Sequence, residues 1–369
     1  MTRMGPNDPR ELGERTDTLH GAFERTVARC FGTATTLDGV SPLAGDASSR
    51  RYFRLALSGG PGTPPTVVAM VLGPDRLPLS SEELSVFDTP PTELPYVNVG
   101  RFLSRIGVRI PTLYAYDPTD GILLQEDIGN ESLRRATETA ERSRVLRLYG
   151  EAIDQLVRIQ VLGARNADSQ CMAFQQRFDH RLFAWEFDHF LEYGLPEHTH
   201  AERARLCDAF MPVIERLAAA PAVLAHRDFH GWNLYVHGGA ICVIDFQDAL
   251  LAPATYDLAS LLTDRDTATV ITPATEDALI EYYLQARHEL GSLDKDVPAV
   301  RTQYWLCVLQ RALKVIGRFR YLAHVKGKPG YVRYLPHVCA QARRALDAAQ
   351  DIDRLRQALL PHLVTPCEP

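Results

Sequence analysis

The run LAHRDFHGWNLYVHGGAICVID at residues 224–245 constrains the fold more tightly than any other part of the chain. Two apolar, alternating stretches, 234–236 and 241–244, flank the pair Gly238-Gly239. Such a pair predicts a two-residue hairpin, because its turn needs positive φ at both central positions. A short apolar strand end leads into the polar loop His226-Arg227-Asp228-Phe229-His230-Gly231-Trp232-Asn233, and the hairpin follows at once. Asp245 stands where the second strand ends. One rigid support therefore carries both the loop and Asp245.

The polar residues at these points match the needs of phosphoryl transfer. That reaction takes a carboxylate to orient and deprotonate the acceptor hydroxyl, and oxygen ligands for a Mg2+ ion bridging the nucleotide phosphates. Asp228 is the candidate base, and Asn233 and Asp245 are the candidate metal ligands. A metal-dependent hydrolase would want further His or Asp ligands at short spacing, and the sequence offers no convincing set. His230 and Trp232 share the loop with Asp228. An imidazole can bond a sugar hydroxyl and an indole can stack on a sugar ring, so both are candidate substrate contacts, with packing an equal alternative for the indole.

Up to about residue 126 the chain reads as mostly β, and beyond it as mostly α. Residues 1–10 read as disordered. Residues 11–31 carry apolar side chains at helical spacing, at Leu12, Leu19, Phe23, Val27 and Phe31. Strands are predicted from about residue 35, over 50–57 and over 66–72, with the turn SGGPGTPP between the last two. Residues 96–106 read as a helix and 111–116 and 121–124 as paired strands. Helical patterns then occupy 142–162, 202–220, 276–290, 300–322 and 331–360. The order gives an α+β chain of two domains, 1–126 and 127–369.

The pattern H-x-D-x-x-x-x-N, a short hairpin and then I-D-F resembles the catalytic core of the aminoglycoside-phosphotransferase and choline-kinase branch of kinase-like enzymes. Four further segments narrow the likeness to the bacterial N-acetylmuramate/N-acetylglucosamine 1-kinases. They are GDASSRRYFRL at 45–55, LLQEDIG at 123–129, DFQDALLAPATYDLASLLTDRD at 245–266 and RALKVIGRFRYLAHVKGKPGYVRYLP at 311–336. The resemblance implies a bilobal protein-kinase-like fold, with a small β-rich N-lobe and a larger helical C-lobe. It implies ATP and Mg2+ as cofactors and the anomeric hydroxyl of an amino sugar as acceptor. It makes Gly45, Ser48 and Ser49 a phosphate loop, and Gln125, Glu126 and Ile128 a hinge that meets the adenine edge. It gives His226 and Asp257 supporting roles, Asp257 tying its helix to the catalytic loop as well as standing where it can cap that helix.

This chain departs from the pattern in two places. His230-Gly231-Trp232 replaces a Met-Pro-Arg run found in many members. Kinases also commonly hold the α- and β-phosphates with a strand lysine, yet all four lysines here lie at 295 or beyond, and Met70 stands on the expected strand. An arginine can clamp phosphate oxygens in its place. Arg51, directly after the phosphate loop, is the expected substitute, with Arg50 and Arg54 as rivals.

Composition bounds the partners. A formal charge of −6 argues against nucleic acid or an anionic membrane surface, both of which need a basic face. No apolar run approaches the roughly 18 residues of a membrane span. The start of the chain, MTRMGPNDPRELGERTD, lacks the apolar core of a signal peptide. Seven scattered cysteines without a CxxC pair predict reduced thiols, hence a cytoplasmic protein. A small-molecule sugar and a nucleotide are the expected partners, with no partner protein implied. Two other readings stand beside the sugar kinase: a phosphotransferase for aminoglycosides or another hydroxyl metabolite, and a nucleotide-binding pseudokinase.

Overall fold

The computed structural model describes residues 9–43, 50–73, 92–195, 197–292 and 296–363, with the side chains of the first helix from Leu19 onward. The described residues of 1–83, 92–97 and 111–129 form one compact unit, and those of 98–110 and 130–369 form another.

The first unit is a five-stranded antiparallel sheet backed by a helix. Helix α1 (Pro9–Phe31) begins inside the stretch expected to be disordered, since proline suits the first turn of a helix. The strands are β1 (Thr36–Leu43), β2 (Arg51–Ser58) and β3 (Thr66–Val71). Helix α2 (Pro95–Arg105) then leads to β4 (Leu113–Asp117) and β5 (Ile122–Glu126). Their order in the sheet is β1-β2-β3-β5-β4. Ala22, Phe23 and Val27 of α1 pack on Leu55, Leu57, Val67, Ala69, Val71, Ile122 and Leu124. Alternation along each strand sends the next set of side chains to the other face. Tyr52 lies opposite Met70, Arg54 opposite Val68, Val68 opposite Gln125 and Met70 opposite Leu123. That second face therefore carries Tyr52, Arg54, Val68, Met70, Leu123 and Gln125.

The second unit is helical around two small two-stranded sheets. Its elements run α3 (Leu133–Thr137), α4 (Arg142–Val157), a π-turn at Arg158–Leu162, α5 (Gly163–Arg165), α6 (His180–His189), a π-turn at Phe190–Gly194 and α7 (His200–Ala219). Next come β6 (Ala222–Ala225), β7 (Leu234–His237), β8 (Ala240–Val243), β9 (Leu250–Pro253), α8 (Tyr256–Leu262) and α9 (Pro273–Glu289). The unit closes with α10 (Val297–His324), α11 (Leu335–Ala348) and α12 (Asp353–Leu359). The helix expected over 142–162 thus runs on through a π-turn into α5. The pattern at 331–360 splits into a 3-10 turn (Pro329–Tyr334) and two helices. Pro336 starts α11, and Asp351, with φ +59°, turns the chain between α11 and α12. No described helix is long and apolar enough to cross a membrane.

Candidate active site

Strand β6 pairs antiparallel with β9, and the loop 226–233 leaves from its end. The hairpin β7–β8 closes with His237 opposite Ala240. Gly238 and Gly239 have φ +59° and +79°, the primed turn that the glycine pair predicts. The loop is then wired from several sides. Asn233 donates its side-chain N–H to the Asp228 carbonyl at 3.0 Å. Ile244 donates its N–H to the Asn233 carbonyl at 3.0 Å, and His226 Nε2 meets the Ile244 carbonyl at 2.8 Å. These bonds draw Asp228, Asn233 and Asp245 into one constellation. From α3, the Arg134 N–H reaches the Gly231 carbonyl at 3.0 Å. A Cβ at Gly231 would meet the Arg134 N and Cβ at 3.3 Å, so the loop packs closely on α3 here.

Asp257 lies fully buried under the loop. Its carboxylate accepts the N–H of His226 at 2.6 Å and of Arg227 at 3.0 Å. The helix-capping role expected for it does not occur, because Thr255 holds the N-cap position and no side chain caps α8. Both carboxylate oxygens are spent on the loop instead. Arg311 of α10, also buried, donates to the Arg227 carbonyl at 3.0 Å and lies 4.9 Å over the Tyr256 ring. The N–H and the carbonyl of Arg227 are thus both held. That grip sustains a φ of +81°, a left-handed value costing a non-glycine residue about 1–3 kcal/mol. Asp245 is held at φ +61°. Strain at these two residues alone borders the constellation.

Asp228 is half-buried, and among the described residues neither of its oxygens has a hydrogen-bond partner. Burial pushes its carboxyl up, but the positive charges of Lys314 and Arg311, with His230 and Arg227, outweigh this and hold it well below the usual range. An ionised carboxylate with open oxygens can accept a proton from a hydroxyl. Lys314 is itself paired at 2.6 Å with Glu186, a carboxylate fully buried in α6. Burial pushes the neighbouring Asp248 up. Its Oδ2 accepts from Gln247 at 3.0 Å, and Asp245 Oδ1 accepts from the same amide at 2.9 Å. Sequence reading passed over Arg311, Lys314 and Glu186. The run RALK at 311–314 signals a family likeness, yet only folding brings it beside a loop more than eighty residues earlier.

The expected substrate and nucleotide contacts fare unevenly. Trp232 spends its indole N–H on Asp266 at 3.1 Å, and the Nδ1 of half-buried His230 has no partner among the described residues. In the first unit, the Glu126 N–H is spent on the Thr112 carbonyl at 2.8 Å, and Gln125 accepts the Tyr96 O–H. A hinge donor would therefore fall to Ile128. Arg51 and Arg54 fall on opposite faces of β2. Arg51 stands opposite Val71, on the face that packs against α1, and its guanidinium lies 5.8 Å over Phe53. Arg54 shares the face of Met70, where Asp127 grips it through two bonds of 2.6 and 2.9 Å. Gly45, Ser48 and Ser49 lie outside the described residues.

The pattern of the phosphotransferase enzyme family (APH) matches residues 39–299. The chain belongs to this family. It is 29% identical to the N-acetylmuramate/N-acetylglucosamine kinase of Pseudomonas aeruginosa over 91% of this chain and 92% of that one. It is likewise 29% identical to the protein of the same name from Neisseria meningitidis serogroup B, over 87% and 89%. Among solved structures, a choline kinase from Cryptosporidium parvum superposes with a TM-score of 0.59 at 11% identity, covering 95% of this chain and 98% of that one. The ADP-bound aminoglycoside phosphotransferase APH(2'')-Ib gives 0.54 at 14% identity, covering 91% and 98%. These likenesses agree with an antiparallel sheet followed by a helical part, the protein-kinase-like arrangement expected from the sequence.

Proposed function

We propose that this phosphotransferase moves the γ-phosphoryl group of ATP, with Mg2+, to the anomeric hydroxyl of an amino sugar, N-acetylmuramate or N-acetylglucosamine. The observation that carries the reading is Asp228, an ionised carboxylate with open oxygens on a loop fixed from three sides. The names of the relatives support the acceptor, and the ADP-bound neighbour supports the nucleotide. Asp228 orients the sugar hydroxyl and takes its proton as the phosphorus–oxygen bond forms. His230 and Trp232 wall the acceptor side of the loop. Ile128 offers its N–H to the base.

The side chains fit a hard cation. Asn233 spends its amide N–H on the Asp228 carbonyl, so its oxygen is the atom left for a ligand, and Asp245 adds a carboxylate. Mg2+ favours such a small oxygen set completed by phosphates and water. Bound there, it would neutralise charge on the transferring group. Asp245→Ala is therefore expected to remove Mg2+-dependent nucleotide binding. Calorimetry with and without Mg2+ reads this directly, and an unchanged Mg2+ dependence would place the ligand elsewhere.

For the cation that meets the nucleotide in place of a strand lysine, register favours Arg54. Arg54→Ala is expected to raise the KM for ATP about tenfold or more, the scale of a lost charge-assisted contact. Arg51→Ala should leave it within about threefold, since this side chain shares the α1 face. The reverse ranking in steady-state kinetics would restore Arg51. A coupled kinase assay over amino sugars, aminoglycosides and choline tests the proposal as a whole, and turnover confined to the last two would overturn it.

A further inference from the structure

Arg265 follows α8 and lies within cation–π reach of two aromatic rings. Its guanidinium carbon is 5.9 Å from the Trp232 ring centroid and 5.8 Å from that of Tyr334. The side chain is half-buried. Among the described residues it makes no hydrogen bond and no ion pair, although guanidinium presents five donors. Asp264 and Asp266 flank it in the chain and favour its charge. Asp266 is bound elsewhere, to the Trp232 indole at 3.1 Å and to Arg134 Nε at 3.3 Å. An ordinary surface arginine is disordered in water. This one has two rings within about 6 Å, one of them in the same loop as Asp228. The rings leave its N–H donors as the part open to a ligand.

We propose that Arg265 is the specificity residue for the acceptor and binds a carboxylate on the sugar. The inference rests on the function proposed above. A planar fork matches a carboxylate through two parallel bonds, and the attraction of two nearby rings helps to hold the guanidinium in place before the ligand arrives. N-acetylmuramate carries a carboxylate on its lactyl ether and N-acetylglucosamine has none. Arg265 therefore makes the enzyme prefer the acidic sugar. A nucleotide phosphate is the other anion within the reaction, and the KM for ATP tells the two apart.

The test is the ratio of kcat/KM for the two sugars, measured for the full-length wild type, Arg265→Gln and Arg265→Lys, together with the KM for ATP. The glutamine variant should lose roughly 10–100-fold with N-acetylmuramate, the scale of hydrogen bonds to a charged group, and stay within about threefold with N-acetylglucosamine. The lysine variant should recover part of the loss, since it keeps the charge without the fork. Its recovery also shows that the site still folds. Equal losses with both sugars, or an unchanged ratio, would overturn the inference. A raised KM for ATP with both sugars would instead assign Arg265 to the nucleotide and overturn it too. A wild type that phosphorylates neither sugar defeats the proposed function and this inference together, whereas turnover of both with an unchanged ratio defeats the inference alone.

Discussion

Asp228→Asn is expected to lower kcat by about 10²–10⁴-fold through lost proton acceptance alone, with nucleotide affinity preserved. Asparagine keeps the volume of the side chain but cannot take a proton from the acceptor. The loop backbone should hold in this variant, because its bonds come from Asp257, Arg311, Asn233 and Ile244 and not from the Asp228 carboxylate. What changes is charge: Lys314 and Arg311 lose the carboxylate that they hold ionised, and the amide that replaces it has no basic oxygen to receive the acceptor's proton. Steady-state kinetics with calorimetric nucleotide titration separates the two effects. Turnover near the wild-type rate would remove Asp228 from the base role.

Asp257→Ala is expected to damage both stability and rate. It strips the acceptors from two buried N–H groups, those of His226 and Arg227. Each orphaned donor costs about 1–3 kcal/mol, so roughly 2–6 kcal/mol of unfolding free energy should disappear. The same deletion removes one side of the grip on Arg227. Its left-handed backbone can then relax, carrying the adjacent Asp228 out of position. Urea unfolding reads the first effect and kcat the second. Asp257→Asn gives an intermediate case, since its amide oxygen can still accept one N–H while its NH₂ opposes the other. If Asp257→Ala unfolds at the wild-type urea midpoint and turns over normally, the two bonds to the loop carry neither function.

The hairpin and the constellation on it were legible because they are local. Gly238-Gly239 sets the turn, the turn sets the register, and a few residues separate Asp228, Asn233 and Asp245 along the chain. The helical and strand periods of α1, β2 and β3 were legible for the same reason. The face of β2 that carries Arg51 was also readable in principle, since Arg51 alternates with the apolar Phe53, Leu55 and Leu57. Less readable is β3: after Thr66 it is apolar and buried on both faces, so it gives no sign of which face is packed against α1.

Other features depend on tertiary structure alone. Asp257 has the position of a helix cap, and only packing of α8 under the loop turns its carboxylate to the His226 and Arg227 amides. Arg311 and Lys314 sit in a long helix whose pattern reports burial but not its neighbours. Arg265 reads as one charge in the run TDRD until folding places Trp232 and Tyr334 around it. The physical reason is common to all of these. Periodicity records which side chains leave water, a property each residue carries along the chain, whereas the partner of a buried charge is chosen by contacts between elements far apart in sequence.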